Sequence, residues 1–397
     1  MRAPSAHQRP RVAFVVSHPI QYYVPLYRRL VERGDVEVRI FYTWHGGSEA
    51  VMDRGFGKAF AWDIPLTEGY PFEVMPNISR EPGTHRFWGL RNPDLLARVL
   101  AWRPDAVHLT GYAYASHLGA LRGLARRGVP VLFRGDSHLL DDRRGLKWQL
   151  TKLLLSRIYC WPAAFLYVGQ ANKKYYEALG VPAEKLFHCP HSIEVDRFAE
   201  PNSAWEADAA SWRRELGLGS DVRVMLFAGK FEPKKRPVEL VGAFLREAPA
   251  GWRLLMLGDG PLGAQVRALA AQHPARIVVM PFQNQSRMPA VYRLGDLFVL
   301  PSAFGETWGL AVNEAIACGR PVLVSDRVGC AADVVEPGRN GMIFRHDDWR
   351  HFGECHRNMD ARAASSDPVA LTASARRFDI TATAASVTAA LQTLLKR

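Results

Sequence analysis

Short, almost wholly apolar runs of strand length alternate with segments of helical periodicity along most of this chain, and the alternation occurs twice. The first series runs through RVAFVVS (11–17), VEVRIFYT (36–43), DAVHLTG (105–111), VPVLFRGDS (129–137), AAFLYVGQ (163–170) and KLFHCPHS (185–192). The second runs through RVMLFAGKF (223–231), RLLMLGDG (253–260), RIVVMPF (276–282), LFVLPS (297–302) and PVLVSD (321–326). Strands without a polar face must be covered on both sides, which calls for parallel sheets with right-handed helical crossovers. At 397 residues the chain also exceeds the roughly 250–300 at which one core usually divides. The expectation is an α/β chain of two Rossmann-like, doubly wound parallel-sheet domains with a cleft between them.

The boundaries follow from composition. Residues 10–192 form the first domain, and 193–221, mixing acid, alanine, proline and serine around WEADAASWRRELGL, form the crossing. Residues 222–377 form the second domain, and an amphipathic helix at about 378–397 is expected to pack back on the first. Between Trp44 and Leu90 periodicity fades. A structureless loop of that length is unusual unless it is functional, so this excursion is expected to hold short strands or turns that shape an acceptor side.

In doubly wound domains ligands meet the carboxyl ends of the strands. Three such ends in the second domain carry chemistry. GKFEPKKRP places Lys230 and Lys235 where two cations could neutralise a diphosphate leaving group, although isolated lysines more often serve solvation. GDGP (258–261) is a tight turn that lets backbone approach a ligand. In LFVLPSAFGETWGLAVNEAIACGRPVLVSD (297–326), Glu306 precedes a helix expected to start near Trp308, and Glu314 lies inside it. The first-turn N–H groups favour an anion, so Glu306 is expected to face uncharged ligand hydroxyls; as a lone pair the glutamates would read as a cap and a solvated acid. In the first domain His18, Gln21, Tyr22 and Tyr23 of SHPIQYY either line the cleft or pack as an ordinary loop.

The net charge of +12 and pI near 9.6 favour anionic partners, but the basic residues are scattered in pairs such as Arg126 and Arg127. That suits a solvated surface better than a nucleic-acid footprint, and no nucleic-acid partner is expected. One helix, GLKWQLTKLLLSRIYC, mixes leucines with Lys147, Lys152 and Arg157; it could rest on an anionic membrane surface or bury its leucines in the domain. Five dispersed cysteines without a CxxC pair fit a reduced compartment. His188 and His191 would point to opposite faces of a strand, and Asp141 with Asp142 reads as a solvated turn, so no metal site is expected. The N-terminus shows no signal core and no window matches a membrane span, so the expected location is cytoplasmic, or peripheral at the inner face of the plasma membrane.

Taken together, these loops resemble the retaining nucleotide-sugar glycosyltransferases of family 4, which have the two-domain GT-B fold. Over 222–345, GKFEPKK is similar to the family's G-R-x-x-x-x-K, GDGP matches its turn, and GETWGLAVNEAIACGRPVLVSD is similar to its E-x7-E block. The first domain agrees in element order only. The resemblance implies that Lys230 and Lys235, with Gly229 and Gly258 beside them, hold the diphosphate of the donor. It implies further that N–H groups near Gly309 and Leu310 take the α-phosphate, that Glu314 binds ribose hydroxyls, that Glu306 contacts the donor sugar, and that Phe282 flanks the base. Lys230 stands where the family usually has arginine, and lysine cannot make the bidentate contact. Many members carry a functional histidine where this chain has Arg134, Asp136 and His138; Asp136 is taken as the catalytic candidate and Arg134 and His138 as acceptor-side groups, with the choice among them open. The implied activity is retaining transfer from a UDP- or GDP-sugar to a glycan or lipid-linked hydroxyl in bacterial polysaccharide or glycolipid synthesis, without a cofactor. A nucleotide-sugar epimerase or hydrolase, or a non-catalytic nucleotide-sugar-binding protein, is the alternative.

Overall fold

Among the described residues there are fifteen short strands, eleven of them on the apolar runs: β1 (Arg11–Val16), β2 (Glu37–Tyr42), β3 (Val51–Asp53), β4 (Lys58–Phe60), β5 (Phe72–Val74), β6 (Ala106–Thr110), β7 (Val131–Arg134), β8 (Ala164–Tyr167), β9 (Leu186–His188), β10 (Arg223–Ala228), β11 (Trp252–Leu257), β12 (Ile277–Met280), β13 (Leu297–Leu300), β14 (Val322–Ser325) and β15 (Gly341–Phe344). The computed structural model describes residues 9–46, 51–53, 58–141, 145–199, 203–362 and 367–396. The start of the chain, part of the 44–90 excursion and Asp142 of the expected acidic turn lie outside them. The described part of the excursion holds β5 and a two-stranded ribbon of β3 and β4.

The chain divides into two compact units. Unit 1 comprises 1–51, 64–191 and 380–397, and unit 2 comprises 52–63 and 192–379. In unit 1 seven parallel strands run in the order β5-β2-β1-β6-β7-β8-β9. Chain progression reverses between β1 and β6, and the core on this sheet includes Val15, Phe133, Phe165 and Tyr176. The C-terminal helix Ile380–Leu395 joins this unit, burying Ala384, Val387 and Leu391; Thr383 Oγ1 donates to the Pro190 carbonyl at 3.1 Å.

Unit 2 has six parallel strands in the order β12-β11-β10-β13-β14-β15, reversing between β10 and β13. The expected crossing is helical, Val195–Ala199 and Ser203–Glu215, and it is tied into this unit: Arg293 Nε donates to Glu206 at 2.8 Å and Arg213 Nη1 to the Leu294 carbonyl at 2.8 Å. Beyond β15 the helix Trp349–Arg362 closes the core with Phe352 and Cys355.

The helix Leu146–Ile158 turns Leu155 and Ile158 into the core of unit 1, with Trp148 against it, while four other leucines stay exposed. Among the described residues no helix is long and apolar enough to cross a membrane, and no group of His, Cys, Asp and Glu is placed to hold a metal ion.

Candidate functional site

Because every pair in the unit 2 sheet is parallel, all its carboxyl ends share one edge, and the loops after β10 and β13 leave from the point where strand order reverses. That crevice is where doubly wound sheets take ligands. The two loops are joined there. The Ala303 N–H donates to the Lys234 carbonyl at 2.8 Å, and Lys235 Nζ donates to Glu306 Oε2 at 2.6 Å. Ser302 Oγ donates to the same carboxylate oxygen at 3.0 Å. Burial alone would raise the Glu306 pKa, but the charge and hydrogen bond of Lys235, with Lys234 and Ser302 adding, hold it below the ordinary carboxylate range.

The β11 loop completes the edge. A Cβ on Gly258, whose φ is +148°, would lie 1.9 Å from the Gly229 carbonyl oxygen, so the GDGP turn and the GK turn meet backbone to backbone, with the Phe231 ring beside them. From Lys230 to Arg236 the loop carries Lys230, Lys234, Lys235 and Arg236 against Glu232, with Glu306 opposite. The surplus is cationic, and Arg236 itself sits in the left-handed region at φ 52°. Such an edge suits a ligand carrying negative charge.

Glu314 lies in the helix Leu310–Ala317, which begins two residues later than expected near Trp308. Gly309, at φ 95°, cannot belong to the helix and serves as its cap, with Leu310 the first helical residue. Glu314 is 2% exposed and not a solvated acid; Tyr292 Oη donates to its Oε2 at 2.5 Å. Phe282 is half-buried in the loop after β12, whose last residue Met280 accepts from the Gly258 N–H at 3.2 Å. The structure thus brings Gly229, Lys230, Lys235, Gly258, Phe282, Glu306, Gly309, Leu310 and Glu314 to one edge of unit 2.

Unit 1 has a second set of strand-end groups. His18 follows β1, half-buried, with Nδ1 2.9 Å from Ser17 Oγ and its ring edge-on to Trp44; burial lowers its pKa to about 4. Gln21 and Tyr22 are half-buried in the turn that Tyr23 closes onto the Ile20 carbonyl at 2.9 Å. Asp136, beyond β7, is half-buried. Arg134 is 2% exposed, and its guanidinium donates to the carbonyls of Cys189 at 2.8 Å and Pro190 at 3.3 Å, so it fastens the end of the domain internally. His138 is also buried, its Nδ1 accepting from the Leu140 N–H at 3.2 Å.

Two contacts in the sites were not read from the sequence, although Tyr23, Arg134 and His191 were named there singly. Behind Glu306 the loop after β14 forms a parallel bridge, Glu306 to Val328, with the Gly329 N–H donating to the Glu306 carbonyl at 3.0 Å and Cys330 N–H to Trp308 at 2.9 Å. In unit 1, Tyr23 stacks on His191 at 6.0 Å and lies under the Arg134 guanidinium at 5.7 Å. The HCPH run gave the position of His191 but not its ring partner.

The comparisons with known proteins fit this geometry. The family model described as glycosyl transferases group 1 matches residues 208–355, and the glycosyl transferase 4-like domain matches 19–190. A D-inositol 3-phosphate glycosyltransferase of Mycobacteroides abscessus is 36% identical over 152 residues, 36% of this chain and 33% of its own length. The match therefore spans only about a third of that relative. The protein of the same name from Rhodococcus jostii is 33% identical over 323 residues, 72% of this chain and 68% of its own. Among solved structures, Anabaena HepE, crystallised with UDP and glucose, superposes with a TM-score of 0.71 at 17% identity, over 97% of this chain and 100% of that one, which shows the shared GT-B fold. With both units matched by family models and a one-third-identical relative aligned over two thirds of its length, the chain belongs to the group 1, family 4-like glycosyltransferases, an EC 2.4 class of enzymes.

Proposed function

We propose that the protein transfers a sugar from a nucleoside diphosphate donor, bound at the β10–β13 edge of unit 2, to a hydroxyl acceptor met by unit 1, with retention at the anomeric carbon. The observation that carries this reading is the meeting of Lys235, Glu306 and the two glycine turns at the strand-order reversal. In the reaction, the bond between the anomeric carbon and the β-phosphate oxygen breaks as the acceptor oxygen bonds to the same face, and the acceptor proton passes to the departing phosphate. Lys230 and Lys235 stabilise the charge that gathers on that phosphate, the kind of fixed-cation effect that dominates when a site excludes water. Glu306, held ionised, accepts from donor sugar hydroxyls, and Glu314, oriented by Tyr292, accepts from the ribose. N–H groups at Gly309 and Leu310 face the α-phosphate and Phe282 flanks the base.

For the acceptor, His18, Gln21 and Tyr22 line unit 1, with Asp136 the group nearest the reacting hydroxyl; Arg134 and His138, both buried, act by holding that loop. The exposed Trp88, with Phe87 edge-on at 4.9 Å, offers an aromatic face to a sugar ring. Bacterial polysaccharide or glycolipid assembly is the setting this suits. UDP and glucose in HepE make UDP-sugars the first donors to test, and the names of the actinobacterial relatives put an inositol phosphate beside glycan and lipid-linked acceptors.

A panel of UDP-, GDP- and ADP-sugars read by thermal shift tests the reading, since a donor at about 100 times its Kd adds about 2.7 kcal/mol. Stabilisation by one donor class, followed by acceptor-dependent release of nucleoside diphosphate, is expected. No stabilisation by any of them would overturn the assignment, and free sugar released without acceptor would mark a hydrolase.

A further inference from the structure

The helix Leu146–Ile158 is apolar on two faces, and the core of unit 1 covers one of them. Leu155 and Ile158 point inward with Trp148 against them. Leu146, Leu150, Leu153 and Leu154 are 77%, 61%, 56% and 60% exposed. At helical spacing these four fall, with the exposed Arg157, inside an arc of about 100°. Single exposed leucines need no explanation, but four on one short helix do.

Charge identifies what covers them. From 143 to 176 the sequence has no Asp or Glu and carries seven basic residues: Arg143, Arg144, Lys147, Lys152, Arg157, Lys173 and Lys174. Lys152 and Arg157 are exposed on the helix itself. A second copy of this chain docked about a two-fold axis would set this basic segment against itself. A bilayer with anionic headgroups satisfies both features, taking leucines to the acyl boundary while long basic side chains reach the headgroups. We infer that the outer face of the Leu146–Ile158 helix is a docking surface for a membrane containing anionic lipid. The helix then lies on the bilayer plane without crossing it, and unit 1 is held where lipid-linked hydroxyls are presented.

The test is co-sedimentation of the full chain with phosphatidylcholine vesicles and with mixed phosphatidylcholine–phosphatidylglycerol vesicles, without any donor. Binding to mixed vesicles is expected to weaken with salt and to be at least roughly tenfold weaker on phosphatidylcholine alone. Replacing Leu150, Leu153 and Leu154 together by serine should remove at least about tenfold of that binding, because those leucines supply the buried apolar area. These side chains are exposed, so the melting temperature and the nucleotide-sugar shift should not change. Lys152→Gln with Arg157→Gln, which keeps every leucine, should flatten the salt dependence. Undiminished binding by the serine variant, or no binding of the unmodified chain to mixed vesicles, would overturn the inference. So would a concentration-dependent dimer that the serine changes abolish, since that would give the face to a second copy. None of these readouts uses sugar transfer, so failure here and failure of the transferase reading are distinguishable.

Discussion

Lys235 donates a 2.6 Å hydrogen bond to Glu306 across 71 residues of chain, at the point where the strand order of unit 2 reverses. A cation read from the sequence as a phosphate ligand and an acid read as a sugar ligand thus neutralise each other at the same edge. On the proposed reading an incoming phosphate would compete with Glu306 for the ammonium, and the released carboxylate would turn to donor hydroxyls, which the following variants test.

Lys235→Ala is expected to reduce kcat/KM by about 100- to 1000-fold, the usual loss when one preorganised charge is removed. It should also destabilise the fold on the order of 2 kcal/mol, between surface and buried limits, because both side chains are only 16% and 13% exposed. The pair stabilises the fold fully above the ordinary carboxylate pKa of about 4.3, and that contribution disappears as pH falls through the lower folded value. Acid titrations of unfolding should therefore show a low-pH step in the native chain that the variant lacks. Near-native transfer by the variant would remove Lys235 from the site.

Gly258→Ala should break donor binding without touching any charge. The added methyl would sit 1.9 Å from the Gly229 carbonyl at a backbone φ of +148°, so the two turns must separate. Overpacking of that kind costs about 1–3 kcal/mol, and the nucleotide-sugar thermal shift should vanish. Gly251→Ala, with nothing within 4 Å of the new methyl, is the control and should melt and bind like the native chain.

How much of this was legible in the sequence follows from what kind of information each part needs. Buried parallel strands announce themselves as unbroken apolar runs, and β10, β11, β13 and β14 all fall on runs read that way. β15 has only GMIF between polar neighbours, and the Trp349–Arg362 helix spreads its few inward residues among charges, so neither stood out. The loops carrying Lys230, Lys235, Gly258 and Glu306 were visible because each follows a strand. Their mutual contacts were not, since the Lys235–Glu306 bond and the Glu306–Val328 bridge depend on three-dimensional register. Arg134 shows the same limit in unit 1: its place after a strand was readable, its commitment to the Cys189 and Pro190 carbonyls was not. The leucines of Leu146–Ile158 left two readings open because a helix with apolar residues on two faces gives no direction, and only packing shows which face is covered.

Tyr292→Phe separates positioning from contact at Glu314. Tyr292 is 1% exposed and its hydroxyl holds Glu314 Oε2 at 2.5 Å, so the substitution removes one hydrogen bond and leaves the ring packed. Donor Kd should rise about five- to tenfold, matching the loss of roughly 1–1.5 kcal/mol, while kcat at saturating donor stays near the native value. Isothermal titration with the stabilising nucleotide sugar reads the change. A fall in kcat with unchanged Kd would place Glu314 with the reacting groups instead of the ribose.

A separate acid sensitivity comes from buried imidazoles, among them His108, His117 and His356. Burial lowers the pKa of His108 to about 3 and those of His117 and His356 to about 4. His117 shows how the neutral form is held: Nδ1 donates to the Thr110 carbonyl at 2.9 Å, which leaves Nε2 to accept from Thr43 Oγ1 at 3.1 Å. In the unfolded chain these groups take up protons near pH 6.5, whereas in the fold they stay neutral until much lower pH. The unfolded state therefore binds more protons in that interval, and stability falls as pH drops from about 7 to about 5, by up to roughly 2 kcal/mol for each group. Denaturant melts across this range should show the slope, and His117→Gln, which can keep both hydrogen bonds without titrating, should reduce it by about one group's share. The imidazole loss continues below pH 5 toward the folded values of about 4 and 3, so the comparison with the Glu306 step is made on the slope between pH 7 and 5, and a slope there unchanged by His117→Gln would show that the imidazole is already protonated in the fold.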